Sequence, residues 1–137
     1  MQKQRIKSFC DNKKVQILCA LNGGLLVQDV SNHAGGCHMI TNGKDEYYVT
    51  SLHHQMIYPW NLNKEDYDIL FWSKKRLSGR YLGDKIDPDK IEVEPEIAVF
   101  HKPGKPVCLG IQGHPEMMER CELHELLNQM ILDYGKF

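Results

Sequence analysis

Long hydrophobic runs are missing: no window of the 137 residues holds the roughly 18 consecutive apolar residues that a membrane-crossing helix needs. A charge imbalance is missing too. Lys and Arg number 17 against 18 Asp and Glu, a formal net charge of −1, and a nucleic-acid binder would usually carry a strongly basic face. Residues 1–16 are locally basic, with Lys3, Arg5, Lys7, Lys13 and Lys14 against Asp11. They hold no apolar segment of the kind a secretory signal requires, and read as a solvated terminus. CxxC is absent. Cys10, Cys19, Cys37, Cys108 and Cys121 are odd in number, which argues against a disulfide framework and for reduced thiols in a cytoplasmic setting. Zinc-type spacings are absent as well. His33 and His38 bracket Gly35-Gly36, and His53 and His54 are adjacent, but no ligand set falls at the usual intervals, so no metal is expected. There is no repeat and no low-complexity linker, and residues 1–137 read as one domain.

What is present is ordinary for a globular chain with a core: 42% hydrophobic and 26% charged residues. Val15, Leu18 and Cys19 recur at helical spacing between Lys14 and Asn22, and Gly23-Gly24 supplies a stop. Leu25 to Val30 reads as a short apolar connection and Ser31 to Cys37 as a Gly-rich loop. His38 to Thr41 and Glu46 to Thr50 read as strands joined by a tight Asn42-Gly43 hairpin, which needs φ above zero at both central residues. Tyr67 to Ser73 and Glu96 to His101 are further strands. Arg76 to Pro95 is polar and broken by Gly and Pro. Pro106 to Gln112 is almost continuously apolar, as a strand buried on both faces would be. Met117 to Tyr134 carries a helical apolar stripe through Leu123, Leu126, Leu127, Met130 and Ile131. Mixed strands and helices predict an α/β fold.

The stretch richest in chemistry is Leu109 to Glu116. A buried strand runs into Gly113-His114-Pro115-Glu116, and in open α/β sheets functional groups gather past the carboxyl ends of strands. A histidine there can act as general base toward a thiol, and Glu116 can accept from the far ring nitrogen and fix the tautomer. From spacing alone, a histidine in a surface turn with an unrelated acid nearby is the commoner arrangement.

Gly110-Ile111-Gln112-Gly113-His114-Pro115-Glu116 closely resembles the terminal motif of class I glutamine amidotransferases, including their γ-glutamyl hydrolase-like branch. Val49-Thr50-Ser51-Leu52-His53-His54-Gln55 is similar to that branch's V-N-S-x-H-H-Q stretch near the glutamyl pocket. Leu21-Asn22-Gly23-Gly24, with Val27-Gln28-Asp29-Val30 and His33, resembles its L-N-x-x-x-G-G-x-L-x-Q-D run. The three segments stand in family order and span most of the chain from Val15 on. The resemblance implies a flavodoxin-like three-layer α/β sandwich. It also implies hydrolysis of a γ-glutamyl amide by a Cys-His-Glu triad with His114 and Glu116. Gln16, Ser51, His53, His54 and Gln55 would surround a small γ-glutamyl substrate, with no cofactor, metal or nucleic acid.

The family nucleophile sits in G-x-C-x-G-x-Q, on a strained strand-to-helix elbow. Gln16 resembles the closing Gln, but four residues earlier stands Asn12, and Cys10 lies two positions before it without flanking glycines. The family's earlier βα units have no counterpart here, which predicts an N-terminally truncated domain whose open sheet edge is covered by a homodimer or a second polypeptide. Two readings follow: an amidase using Cys10 or a thiol from a partner, or a pseudoenzyme that keeps the pocket as a binding module.

Overall fold

The computed structural model describes residues 9–10, 12–33, 35–50, 53–112, 125 and 129, with side chains from residue 15 onward. The strands are β1 (Phe9–Cys10), β2 (Leu25–Val27), β3 (Asp29–Val30), β4 (Cys37–Thr41), β5 (Glu46–Thr50), β6 (Met56–Tyr58), β7 (Tyr67–Ser73), β8 (Tyr81–Leu82), β9 (Pro95–Phe100) and β10 (Cys108–Ile111). Helix α1 (Asn12–Leu21) follows β1. Among the described residues no helix is long and apolar enough to cross a membrane. The helix expected over Met117–Tyr134 lies outside the described residues apart from Glu125 and Gln129, both helical.

Six strands form the main sheet in the order β1-β10-β9-β7-β4-β5. Among the described strands of this sheet, β1 and β10 run parallel and the other neighbours are antiparallel. The pairs β2–β6 and β3–β8 form two further antiparallel ribbons. The main sheet curls into a half barrel. The expectation of a flavodoxin-like three-layer α/β sandwich is therefore overturned. Parallel neighbours need crossover helices, whereas β4–β5 and β9–β10 return through short loops that only antiparallel pairing allows. The apolar run of β10 is buried on both faces as expected, between β1, to which it runs parallel, and β9, to which it runs antiparallel.

β9 and β10 are buried throughout. Ile97, Val99, Leu109 and Ile111 pack with Ile40, Val49 and Phe71 on one face. Ala98, Phe100 and Cys108 meet Val15, Leu18 and Cys19 of α1 on the other. The helix ends as its glycines predict. Gly23 has φ +90°, its N–H donates to Ala20 O, and Gly24 N–H reaches back to Cys19 O at 2.8 Å, satisfying two terminal carbonyls. Lys105 Nζ, from the β9–β10 loop, donates to Leu21 O at 2.6 Å and places a cation at the negative end of the helix.

The β4–β5 hairpin forms with Thr41 opposite Glu46, leaving residues 42–45 as its loop, the interval between the expected strands. Gly43 alone takes positive φ. Asn42 acts through its side chain, its Oδ1 accepting from the N–H groups of Lys44 and Asp45 at 2.9 and 2.6 Å.

Candidate functional site

Two local features meet at one end of the main sheet. The first is a strand-to-helix turn. β1 pairs in parallel with β10, Phe9 opposite Leu109 and Cys10 opposite Gly110, and the chain enters α1 at Asn12. The helix lies directly on β10: a Cβ at Gly110 would stand 2.7 Å from Val15 Cβ. Gln16, one residue further along α1, is buried, and its Nε2 donates to Gln55 O at 3.3 Å. Gln55 Nε2 in turn donates to Gln28 Oε1 at 3.2 Å. Segments far apart in sequence thus converge: α1, the β2–β3 link and the approach to β6.

Of the residues expected at the site, Gln16, His53 and Gln55 are brought together. His54 is exposed, and only its backbone takes part, accepting from Val30 N–H at 2.8 Å. Ser51, His114 and Glu116 lie outside the described residues, as does the side chain of Cys10. Cys19 and Cys108 are buried and Cys37 is exposed. Burial pushes the Cys19 thiol up to about 12, against a smaller opposing effect of a hydrogen bond from the Tyr58 backbone, which suits a packing role and not nucleophilic chemistry.

The second feature is a largely buried cluster of imidazoles and carboxylates that the motifs announced only in part, through His33 and His53. It draws His33 from the loop after β3, His38 from β4, His53 from the residues before β6, Glu94 from just before β9, and Glu96 from β9. His33 Nε2 stands 3.0 Å from Glu94 Oε1, and His33 Nδ1 stands 3.9 Å from Glu96 Oε1. His38 Nε2 donates to Glu96 Oε1 at 2.7 Å, as Ser73 Oγ does at 3.1 Å. The His33 and His53 rings lie 4.6 Å apart between centroids. Glu94 is a hub: besides His33 it accepts from the N–H groups of Leu77 (2.7 Å) and Ser78 (3.1 Å) and from Tyr81 Oη (2.8 Å). Burial alone would raise its pKa. Hydrogen bonds from His33, the Leu77 N–H and Tyr81 outweigh that and bring it down to about 2, so the carboxylate stays ionised. Burial, with the bond to Glu94, pushes the Tyr81 phenol up to about 12.

These partners assign the ring protons. Glu94 is an acceptor, so the His33 nitrogen facing it, Nε2, carries a hydrogen. His53 Nδ1 lies 2.7 Å from Gln55 O and must donate to it. Burial, countered in part by Glu96, takes the His53 pKa down to about 4, so this ring is neutral and its Nε2 presents a lone pair. That Nε2 is buried and has no hydrogen-bond partner among the described residues; the same holds for Glu96 Oε2. Two buried acceptors facing one cluster without donors are uncommon in folded proteins.

The sequence carried a signal for this cluster that its motifs hid. Glu94 and Glu96 sit two apart at the mouth of an apolar strand, a spacing that puts both on one face, where acids are rarely left without partners. Comparison of the chain with protein-family models, with curated proteins and with solved structures gives no match.

Proposed function

We propose that this protein hydrolyses a γ-glutamyl amide through a cysteine thiolate, by chemistry of the class I glutamine amidotransferase type. Cys10 is the nucleophile, His114 the general base and acid, and Glu116 the group that orients the imidazole. The observation that supports this most is the parallel pairing of β1 with β10. Parallel strands end on the same rim of a sheet, so the turn after Cys10 and the chain leaving β10 depart from one rim. The meeting of Gln16, Gln28, His53 and Gln55 beside α1 adds amide and carbonyl groups suited to an amino-acid head group.

In this reading the Cys10 thiol gives its proton to His114 and the thiolate attacks the γ-carbonyl. Collapse of the tetrahedral adduct expels the amine, which takes the proton from His114 and leaves a γ-glutamyl thioester. Water, deprotonated by the same imidazole, then releases glutamate and restores the thiol. The reaction consumes one water and needs no cofactor.

The test is release of glutamate from glutamine and from γ-glutamyl anilides, alongside treatment with a glutamine-like chloroketone and peptide mapping. We expect turnover and a single adduct on Cys10, with Cys10→Ala and His114→Ala both inactive. Absence of turnover together with an unmodified Cys10 would overturn the reading. A second reading, a binding module without turnover, draws on one specific observation. α1 already begins at Asn12, where the family motif places its nucleophile, and no glycine eases the turn before it. Saturable binding of glutamate or γ-glutamyl compounds without product or adduct would select it.

A further inference from the structure

We propose that His33, His53 and Glu96 form a binding site for one divalent transition-metal ion, zinc by the chemistry of its donors. One ligand atom from each residue lies within 4.8 Å of the other two, and all three side chains are buried. Tetrahedral zinc, with bonds to nitrogen and oxygen of about 2.0–2.2 Å, needs donors about 3.3–3.6 Å apart. Side-chain rotations that close the triangle by about an ångström reach that geometry.

Three features favour a cation over a merely packed polar cluster. The first is polarity. His53 Nε2 and Glu96 Oε2 are both acceptors, both buried and, among the described residues, both without a hydrogen-bond partner, so neither can satisfy the other, whereas one cation satisfies both. The second is orientation. Zinc-bound histidines commonly donate their other ring N–H to a carboxylate or a backbone carbonyl. Both arrangements are already built: His33 Nε2 faces Glu94 Oε1 at 3.0 Å with Nδ1 3.9 Å from Glu96 Oε1, and His53 Nδ1 donates to Gln55 O at 2.7 Å, leaving Nε2 inward. The third is charge. Glu94 and Glu96 place two carboxylates, each about 1% exposed, within one cluster, and a dication offsets that concentration of negative charge.

The remaining Glu96 oxygen is held by His38 and Ser73, so the free Oε2 is the ligand atom. Two imidazoles and a carboxylate match borderline-hard ions such as Zn²⁺ and exclude a calcium-type all-oxygen site. Burial closes the centre to substrate, and its role is structural: the ion ties the loop after β3 and the residues before β6 to β9. The inference does not depend on the thiol chemistry proposed above, and its test reads metal, not turnover.

The full chain, stripped with a chelator and dialysed against Zn²⁺, is assayed by elemental analysis, by titration calorimetry and, with Co²⁺ substituted, by visible absorption. We expect one equivalent bound, a tetrahedral-type Co²⁺ spectrum and a higher melting temperature with metal. His53→Ala and the isosteric Glu96→Gln should each weaken Zn²⁺ binding at least about tenfold. His101→Ala should leave it unchanged, since His101 pairs with Asp68 away from the cluster. Glu96→Gln guards against a folding artefact, because it keeps the side chain's size and is checked by circular dichroism. No stoichiometric uptake, or uptake that survives both substitutions, overturns the proposal and leaves a water-filled polar cluster in its place.

Discussion

Gly110→Ala probes the contact on which the strand-to-helix turn depends. The added methyl carbon would stand 2.7 Å from Val15 Cβ and 3.1 Å from Val15 Cα. Carbon atoms pack best about 3.5–4.0 Å apart, so α1 must lift by about 0.5–1 Å. Two of the crowding atoms, Cα and Cβ, move only with the backbone, so a rotamer change cannot absorb the strain. Overpacking of this kind costs about 1–3 kcal/mol. Position 110 does not take positive φ, so alanine recovers about 0.4–1 kcal/mol by restricting the unfolded chain. The net expectation is a loss of about 1–2 kcal/mol, read as a lower urea midpoint at unchanged slope. Val15→Ala alone should also destabilise, by about 1.5–3 kcal/mol of lost burial. Combined with Gly110→Ala it should cost less than the sum by at least about 0.5 kcal/mol, because part of the clash disappears with the valine methyls. A Gly110→Ala midpoint equal to or above wild type, or strict additivity of the pair, would refute the claim that α1 rests directly on β10.

Glu94→Ala strands the donors of His33, Leu77, Ser78 and Tyr81 at once and should cost about 3–5 kcal/mol in chemical denaturation, while Glu94→Gln, which keeps one acceptor oxygen, should cost less. A cost for alanine under about 1 kcal/mol would show that the hub is not held as described. In the native protein Cys37 should alkylate readily and Cys19 only after unfolding. With a thiol pushed up to about 12, only about one Cys19 in ten thousand is thiolate at pH 8. Equal labelling rates by peptide mass mapping would contradict the burial of Cys19. Finally, Gln16→Ala should slow chloroketone labelling without changing Zn²⁺ affinity, whereas His53→Ala should impair both. Equal loss of Zn²⁺ affinity in the two variants would remove the asymmetry.

Elements whose information is local were legible in the sequence. Tyr67–Ser73 forms the strand that its aromatic and β-branched residues predict, and Gly23-Gly24 ends α1 as glycines do. β2 and β3 passed for a connection and β8 for polar loop, because strands of two or three residues carry no periodicity and exist only through distant partners. Strand direction was illegible for a similar reason: alternation and burial report which faces are covered, not which way a neighbour runs. At the site, His53 and His54 are adjacent and lie between β5 and β6, and only His53 is buried. The His33–Glu94 contact joins residues 61 positions apart, and no motif spans that distance.

One backbone atom among the described residues bonds to both halves of the site. Gln55 O accepts from His53 Nδ1 at 2.7 Å and from Gln16 Nε2 at 3.3 Å, one donor for each lone pair of a carbonyl oxygen. The shorter bond orients the ring whose other nitrogen faces Glu96, and the longer one anchors the side chain that α1 presents beside the β1 turn. The two bonds are not equivalent. His53 is enclosed by His33, Glu96 and the chain before β6, so its ring fixes the peptide at Gln55. Gln16 sits on a helix whose packing against β10 and β6 is already set by Val15, Leu18 and Cys19, and its amide only reads the position of that peptide. Order therefore runs from the imidazole–carboxylate cluster outward to the helix. A ligand that tightens the cluster stiffens the amide-lined side, while loss of the Gln16 amide leaves the cluster as it was.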